Sequence, residues 1–334
     1  MKKCLLSVLA LFLALTFAGC GEGETVLKKV VVEEGELSRK SVVMIINDET
    51  VTYEEMMAYI YFLKKQYEPQ VGSKIWGYEL EEGQTVEDVA KESLIRMVMQ
   101  IKIIAGQARK EGISLDNDEK AEVNQLATAF METVSKEDKN KYYVNQENVQ
   151  SIYQENQLAT KMFYLSTDEA DTDVTDAEAR QATVQYIKII TKGTDQNGTH
   201  IAMDEQTREK AKERAKSLLK QAKKLKSFGS FASQNSDDSQ VEVTLGPADT
   251  NFEKPFLDAV FSLKKGEFSS VVEGDEGYYI LYCVTDNDVE AVQNRKEEII
   301  ASRQNDVFKE KYDKWRGDSD IDISSSFWDT ISFQ

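Results

Sequence analysis

Histidine, cysteine and proline are scarce in this chain of 334 residues, which contains one, three and three of them. The single histidine, His200, lies in a polar loop and is expected at the surface rather than in a Ser-His-Asp set, and three cysteines form neither a disulfide framework nor a metal-binding cluster. Of the cysteines, Cys283 falls in the apolar run 278–284 and is expected to be buried. A chain of this length is expected to form about two domains, and we expect no metal ion and no cofactor in them.

Basic residues are also outnumbered: the chain has 41 lysines and arginines but 59 aspartates and glutamates, which gives a formal net charge of −18. Such a field repels nucleic acid and anionic lipid headgroups, so we expect no nucleic-acid partner. Attachment to a membrane would therefore depend on lipid chains rather than on a basic surface.

The N-terminus predicts a lipid anchor. Lys2 and Lys3 precede an apolar stretch, 5–17, that is too short for a comfortable membrane span. The following Phe17-Ala18-Gly19-Cys20 resembles a bacterial lipobox, which implies removal of a signal peptide, 1–19, and a diacylglyceryl group on Cys20. The alternative is an ordinary signal peptide with an incidental cysteine. Residues 20–41 lack periodicity and are predicted to be a lipidated tether.

Residues 42–180 show helical periodicity after a short strand. Val42–Ile46 is predicted to be that strand, and Thr52–Glu55 has the pattern of a capping box for a helix that ends near Gln66. Apolar positions repeat on one face of 90–110, where Gly112 follows as a C-terminal cap. Two further helices are predicted at 116–135 and 146–164.

Part of this region resembles a known family. The series 46–55 and the helix, glycine and turn of 90–114 are similar to the opening of the N-terminal domain of PrsA- and SurA-type foldases. The resemblance implies a helical, SurA-N-like chaperone domain at 42–180. It also implies that the helix predicted at 288–316 returns to that domain, so that 287–334 would complete it together with an aromatic tail, for which docking on the core is expected.

Four short segments lie between 42–180 and 287–334, at 184–187, 231–238, 252–259 and 277–280. Together they resemble a parvulin-type (PpiC) peptidyl-prolyl isomerase domain, here 181–286. The predicted elements follow the order β-α-α-β-α-β-β, which implies a four-stranded antiparallel sheet with helices. The expected fold class is therefore α+β, with the parvulin domain inserted into the chaperone domain.

The resemblance also implies roles for individual residues. Asp238 occupies the position of the polar residue that faces the twisting amide, although a turn residue in a Ser-Asp-Asp-Ser loop is the alternative. Leu245, Phe252 and Phe256 occupy the apolar slot for the proline ring, or else belong simply to the core. The two positions where the family carries histidine hold Tyr186 and Tyr279, and these tyrosines form the predicted catalytic set together with Asp238.

These tyrosines leave two outcomes open. Prolyl rotation crosses a barrier of roughly 18–20 kcal/mol and needs preferential binding of the twisted amide, not a titrating group. Two phenols can donate and accept as the imidazoles do, which would keep a weak activity. Alternatively, the rings fill the slot and leave a domain that binds without catalysis. The family's Gly-Gly-Asp is also replaced by Glu242-Val243-Thr244.

The predicted function is therefore a foldase anchored at the extracytoplasmic face of the cell membrane. By resemblance, its partners are unfolded or newly secreted polypeptides, and its activity is peptidyl-prolyl isomerisation in altered or weak form. A non-catalytic holdase with a degenerate parvulin domain is the alternative. A surface-binding lipoprotein outside this family is a third interpretation, which the order of the segments disfavours. The resemblance also leaves room for a homodimer formed through the N-terminal domain.

Overall fold

The computed structural model describes residues 28–29, 37–80, 83–194, 200–324, 327–328 and 331–333, without the side chains of 28, 29, 194 and 200–202. The predicted signal peptide, Cys20 and most of the predicted tether lie outside these residues. By its internal contacts the chain divides into unit 1, Met1–Glu169 with Gln304–Gln334, and unit 2, Ala170–Arg303. The limits of the two units differ from those of the predicted chaperone domain, 42–180, and parvulin domain, 181–286. Those domain limits stay predictions.

Unit 1 is mainly helical. Its elements are β1 (Lys28–Lys29), β2 (Val42–Ile46), β3 (Glu49–Thr52), α1 (Tyr53–Val71), a 3-10 turn (Ser73–Gly77), α2 (Val86–Lys110), α3 (Asn117–Thr133), α4 (Lys136–Lys141) and α5 (Gln146–Ser166). Helix α9 (Val289–Gly317) crosses the division between the units and leads to β10 (Ile321–Ile323).

Short polar side chains start the helices of unit 1. Thr52 accepts from the Glu55 amide, as predicted, and Thr85, Asp116 and Asn145 each form a complete capping box. Helix α1 runs beyond the predicted end at Gln66. It continues through a proline in its last turn, where the helix is about to end and the lost backbone bond costs little.

The sheet of unit 1 has the order β1-β10-β2-β3. Strand β2 has the predicted bounds and forms a hairpin with β3, whereas β10 and the short helix α4 were not predicted. Lys28–Lys29 pair in parallel with Asp322–Ile323, so these two residues of the predicted tether form an edge strand rather than unpaired chain. Strands that pair across such long distances in sequence leave no local sequence pattern that predicts their pairing.

The aromatic tail docks on the core of unit 1, as expected. Phe327 and Phe333 are fully buried, and the Phe333 ring meets Trp76 edge-on at 5.2 Å. The buried Lys64 ammonium donates to the Phe333 carbonyl oxygen and pairs with Glu68 at 2.7 Å. Apolar burial and a satisfied buried charge therefore hold the tail in place.

Unit 2 is a sheet with helices on both faces. Its elements are β4 (Ala182–Ile190), β5 (Lys192–Thr194), β6 (His200–Ala202), α6 (Glu205–Ala222), α7 (Gly229–Asn235), β7 (Glu242–Leu245), α8 (Lys254–Ser262), β8 (Val272–Glu273) and β9 (Gly277–Thr285), followed by the start of α9. The sheet order is β7-β4-β9-β8, and each neighbouring pair is antiparallel.

The α+β class and the four-stranded antiparallel sheet are thus confirmed. The predicted order β-α-α-β-α-β-β is present, with an additional β5–β6 hairpin after the first strand. Alternation along the two central strands separates two cores: Val184, Tyr186, Tyr279 and Leu281 face α8, and Ile187, Ile189, Tyr278 and Ile280 face α6 and α7. Cys283 is fully buried, as predicted, and burial raises the pKa of its thiol.

Within the described part of the chain, none of the helices combines the length and the apolar character that a bilayer crossing requires.

Candidate functional site

The sheet register places the two tyrosines of interest on one face of unit 2. Tyr186 pairs with Leu281, and Lys188 pairs with Tyr279, so the tyrosines are diagonal neighbours on the central strands β4 and β9. Both rings are buried, with exposed fractions of 2% and 5%. Their common face is the one covered by α8, which carries the predicted proline slot.

Phe256 lies between the tyrosines. Its ring meets Tyr186 edge-on at 5.5 Å and Tyr279 edge-on at 5.2 Å. Phe252 stacks on Phe256 at 4.6 Å and remains partly exposed. Leu245 is buried in the same core cluster. The structure therefore brings the three predicted slot residues together with both tyrosines, and Phe252 is the member that reaches solvent.

Asp238 joins this cluster through Tyr186. The Tyr186 phenol donates to the Asp238 carboxylate at 2.9 Å, across 52 positions of sequence. The loop is held in turn by the Asp238 amide, which donates to the Ser236 hydroxyl at 3.2 Å, and by the Gln240 amide, which donates to Asp238 at 3.2 Å. Asp238 is only partly buried, so it reaches solvent as well as the Tyr186 phenol.

Burial, the hydrogen bond to Asp238 and the charge of that carboxylate all raise the pKa of Tyr186 above its ordinary value. The phenol therefore stays protonated through neutrality and acts as a fixed donor to the carboxylate. This fixed proton differs from an imidazole pair, whose charge changes near neutral pH.

Tyr279 has a different partner. Its phenol donates to the Glu253 carboxylate at 2.9 Å, and burial followed by this bond raises its pKa. Each phenol therefore gives its single proton to a carboxylate of its own. Local sequence offers one signal for Glu253, since it directly precedes the Lys254-Pro255 start of α8 and so lies at a helix N-cap.

The segment that replaces the family's Gly-Gly-Asp serves strand pairing. Glu242 accepts from the Gln185 side-chain amide at 2.6 Å, and the Thr244 and Thr183 hydroxyls lie 2.6 Å apart. These contacts join the edge strand β7 to β4, so the side chains of Glu242 and Thr244 stabilise the sheet.

A groove of about 570 Å³ adjoins the site at Glu253. Its lining residues come from four places in unit 2 and are Thr191 and Lys192, Arg208, Glu253–Pro255 and Glu273–Asp275. The lining mixes both signs of charge, so the groove suits an extended polar backbone better than a purely apolar ligand. Among the described residues, no group of three or more His, Cys, Asp or Glu side chains has the geometry to hold a metal ion.

Comparison with known proteins agrees with this geometry. Residues 172–287 match the model of the PPIC-type PPIASE domain. The foldase protein PrsA of Caldanaerobacter subterraneus subsp. tengcongensis is 26% identical over 316 residues, with 92% of each chain covered. The chain is similar to PrsA foldases over most of its length and matches a PPIC-type domain at 172–287.

Further relatives extend the PrsA-like comparison. The foldase protein PrsA of Clostridium tetani is 23% identical over 94% of this chain and 93% of its own. Among solved structures, PrsA from Bacillus subtilis is 16% identical, with 74% of this chain and 93% of that chain covered and a TM-score of 0.27. A structure described under the SurA-like chaperones PEB4 and Cj1289 of Campylobacter jejuni is 13% identical, with coverage of 85% and 99% and a TM-score of 0.32.

Proposed function

We propose that this protein is an extracytoplasmic foldase, anchored by lipid on Cys20, whose PPIC-type domain isomerises prolyl bonds in secreted polypeptides. The observation that carries the proposal is the Tyr186–Asp238 pair at 2.9 Å beside the stacked Phe252 and Phe256 rings. The names of the PrsA relatives and the domain match support a folding-assisting role.

The site can favour the twisted amide without proton transfer. Twisting removes amide resonance, so the carbonyl loses polarity and the nitrogen becomes more basic. The proline ring would lie against Phe252 and Phe256, away from water, while the Asp238 carboxylate, held by Tyr186, faces the reacting amide. Each tenfold acceleration requires about 1.4 kcal/mol of preferential binding to the twisted form.

A holdase without catalysis is the second candidate, and one observation favours it. The rings of Tyr186 and Tyr279 both contact Phe256, at 5.5 and 5.2 Å, so large aromatic groups already occupy the floor of the slot. A shallower slot grips proline less tightly and lowers the preference for the twisted amide. In that case the domain would bind chains, and the folding-assisting role would depend on binding alone.

The deciding experiment measures cis-to-trans conversion of prolyl tetrapeptides, with different residues before proline, by the purified full chain. We expect a rate above the spontaneous one and a loss of about tenfold or more in kcat/KM for Asp238→Ala. The matched control is Asp258→Ala, which removes an exposed carboxylate of α8 that pairs with Lys254.

A spontaneous rate with every peptide contradicts the isomerase and leaves the holdase, which suppression of client aggregation by the same protein then tests. If Asp238→Ala and Asp258→Ala have equal activity, Asp238 does not face the amide.

The anchor is tested separately in cells. Cys20→Ser should release the protein from the membrane fraction into the medium, because no acyl chain could be attached. Cys4→Ser is the matched control, since that residue would leave with the signal peptide. Retention of the Cys20→Ser protein at the membrane contradicts the lipid anchor.

A further inference from the structure

We infer that Glu253 is a positioning residue of the isomerase site, which fixes Tyr279 and the first turn of α8 so that the proline slot keeps its shape. The inference rests on the proposed isomerase function. In this arrangement each tyrosine of the central strands has its own anchoring carboxylate, Asp238 for Tyr186 and Glu253 for Tyr279.

Glu253 connects three elements of unit 2. One carboxylate oxygen accepts from the Tyr279 phenol at 2.9 Å and from the Glu276 amide at 3.1 Å. The other accepts from the Asp275 amide. The residue itself is the N-cap of α8. Glu253 therefore ties the β8–β9 turn and the Tyr279 phenol of β9 to the start of α8, although its side chain makes no capping hydrogen bond to that helix.

The glycine at position 274 lets the β8–β9 turn approach the Glu253 carboxylate in its present place. A β carbon at Gly274 would collide with a Glu253 carboxylate oxygen and would lie 2.9 Å from the Tyr279 ring. The close approach of the turn to the carboxylate is thus built into the sequence at this position. It indicates a specific arrangement rather than a chance surface contact.

The effect of Glu253 reaches the slot through packing. The Tyr279 ring meets Phe256 edge-on at 5.2 Å, and Phe256 stacks on Phe252 at 4.6 Å. A Tyr279 ring released from Glu253 could turn, and the Phe256 ring would lose its fixed neighbour. Pro255 and Phe256 also follow Glu253 directly in the chain, so the same residue sets the entry of α8 into the site.

The adjacent tyrosine provides a natural comparison. Tyr278 precedes Tyr279 on β9 and also donates to a glutamate, Glu273, at 3.3 Å. Its ring, however, belongs to the core on the opposite face of the sheet. Loss of the Tyr278 hydroxyl removes the same chemical group from the same strand without touching the slot.

The test measures kcat and KM separately for the full-length proteins Glu253→Ala, Glu253→Gln, Tyr279→Phe, the double variant Glu253→Ala/Tyr279→Phe, and Tyr278→Phe. We expect Glu253→Ala to lower kcat/KM about tenfold, chiefly through KM, because the wall of the slot moves. Glu253→Gln should recover part of the loss, since its amide oxygen still accepts from Tyr279. Tyr278→Phe should match the unaltered protein.

The double variant decides whether Glu253 acts through Tyr279. We expect the Glu253→Ala effect to shrink when residue 279 is already phenylalanine. An equal loss in both backgrounds overturns the inference, as does full activity of Glu253→Ala. Should Glu253→Ala fail to fold, Glu253→Gln against Tyr278→Phe carries the test, and equal activity of these two again overturns it.

A second readout separates this inference from the proposed function. If the unaltered chain does not isomerise any peptide, the proposed function fails, and the state of each phenol is then followed by NMR of carbon-13-labelled tyrosine. Removal of Glu253 should lower the pKa of Tyr279 towards its ordinary value and leave that of Tyr186 in place, because each phenol has its own carboxylate. An unchanged Tyr279 overturns the inference by itself.

Discussion

Unit 1 and unit 2 bury polar side chains in different ways. In unit 1 the buried Lys102 ammonium lies 2.7 Å from each of two carboxylates, those of Glu55 and Glu155. In unit 2 the buried Tyr186 and Tyr279 are neutral phenols, each with one carboxylate. The first arrangement requires every charge to keep its partner. The second can lose a single bond and retain an uncharged ring in the core.

The charged cluster joins distant parts of unit 1. Glu55 comes from α1, Lys102 from α2 and Glu155 from α5, and Arg109 lies 3.9 Å from Glu155. Burial raises the pKa of Glu155 despite the nearby Lys102. Burial alone would lower the pKa of Lys102, but the two carboxylates together raise it. In unit 2 the two buried phenols instead stay uncharged, and each gives its single proton to one carboxylate.

The largest effect should come from removing the central charge of unit 1. Lys102→Met leaves Glu55 and Glu155 buried without their ammonium, and we expect a loss of about 3–5 kcal/mol in the stability of unit 1. All three tryptophans of the chain belong to unit 1, so denaturant unfolding followed by tryptophan fluorescence reports on that unit.

The matched control is Lys309→Met, which breaks an exposed pair with Asp313 and should cost less than about 1 kcal/mol. Equal denaturation midpoints for Lys102→Met and Lys309→Met would show that the buried cluster stabilises the protein no more than a surface ion pair does.

The docked tail should give the next largest effect. Phe333→Ala removes a fully buried ring that contacts Trp76, and we expect a loss of about 3 kcal/mol in the stability of unit 1. The same fluorescence measurement checks it. Leu165→Ala, at a half-exposed position of α5, is the control and should change little. If Phe333→Ala unfolds at the same denaturant concentration as Leu165→Ala, the docked tail does not stabilise unit 1. The charged cluster and the remaining core would then account for its stability.

Removing one carboxylate of the cluster should have a small effect. Glu155→Gln leaves the Lys102 ammonium its second carboxylate, that of Glu55, and the new amide oxygen can still accept from that ammonium, so we expect a loss of only about 1 kcal/mol. Because the folded pKa of Glu155 is raised, its contribution is fully present below the ordinary value and is lost as pH rises through the folded pKa.

Glu155→Gln should therefore abolish that part of the pH dependence, which unfolding measured across the acidic range would detect. A loss as large as that of Lys102→Met would mean that both carboxylates are required in charged form.

The smallest effect is expected in the pH profile of isomerisation. The pKa values of Tyr186 and Tyr279 are raised, so both phenols stay protonated below their ordinary pKa and ionise only as pH rises through the higher folded values. We expect kcat/KM to be flat between about pH 6 and pH 9. Tyr186→His is the comparison variant, because imidazole titrates near neutrality and should introduce a step. A step in the unaltered protein would show that another group titrates in the site.

Much of the fold of unit 2 could be predicted because strands and helices leave local patterns. Alternation at Val184–Ile190 and the cap at Asp204 depend on neighbouring residues only. The set of Asp238, Leu245, Phe252 and Phe256 was predicted by resemblance, and the structure brings these side chains to one side of the sheet. Their roles in catalysis remain a proposal.

Other features had no local signal. Strand β10 pairs with β2 across most of the chain, and Lys102 meets Glu55 and Glu155 from separate helices. Glu253 was missed because its bonds to the β8–β9 turn depend on a fold that brings residues 253 and 275–279 together.

In the sequence alone, the resemblance of four segments to parvulin domains implied the four-stranded antiparallel sheet of unit 2, and tyrosine stood at the two positions where that family has histidine. Residue identity and the order of short segments are properties of the chain itself, so both could be recognised before the fold was known. Only the tertiary structure decided which carboxylate each phenol meets. Hydrogen bonds require a few ångströms and a defined direction, and the packing of α8 and two loops against the sheet sets both.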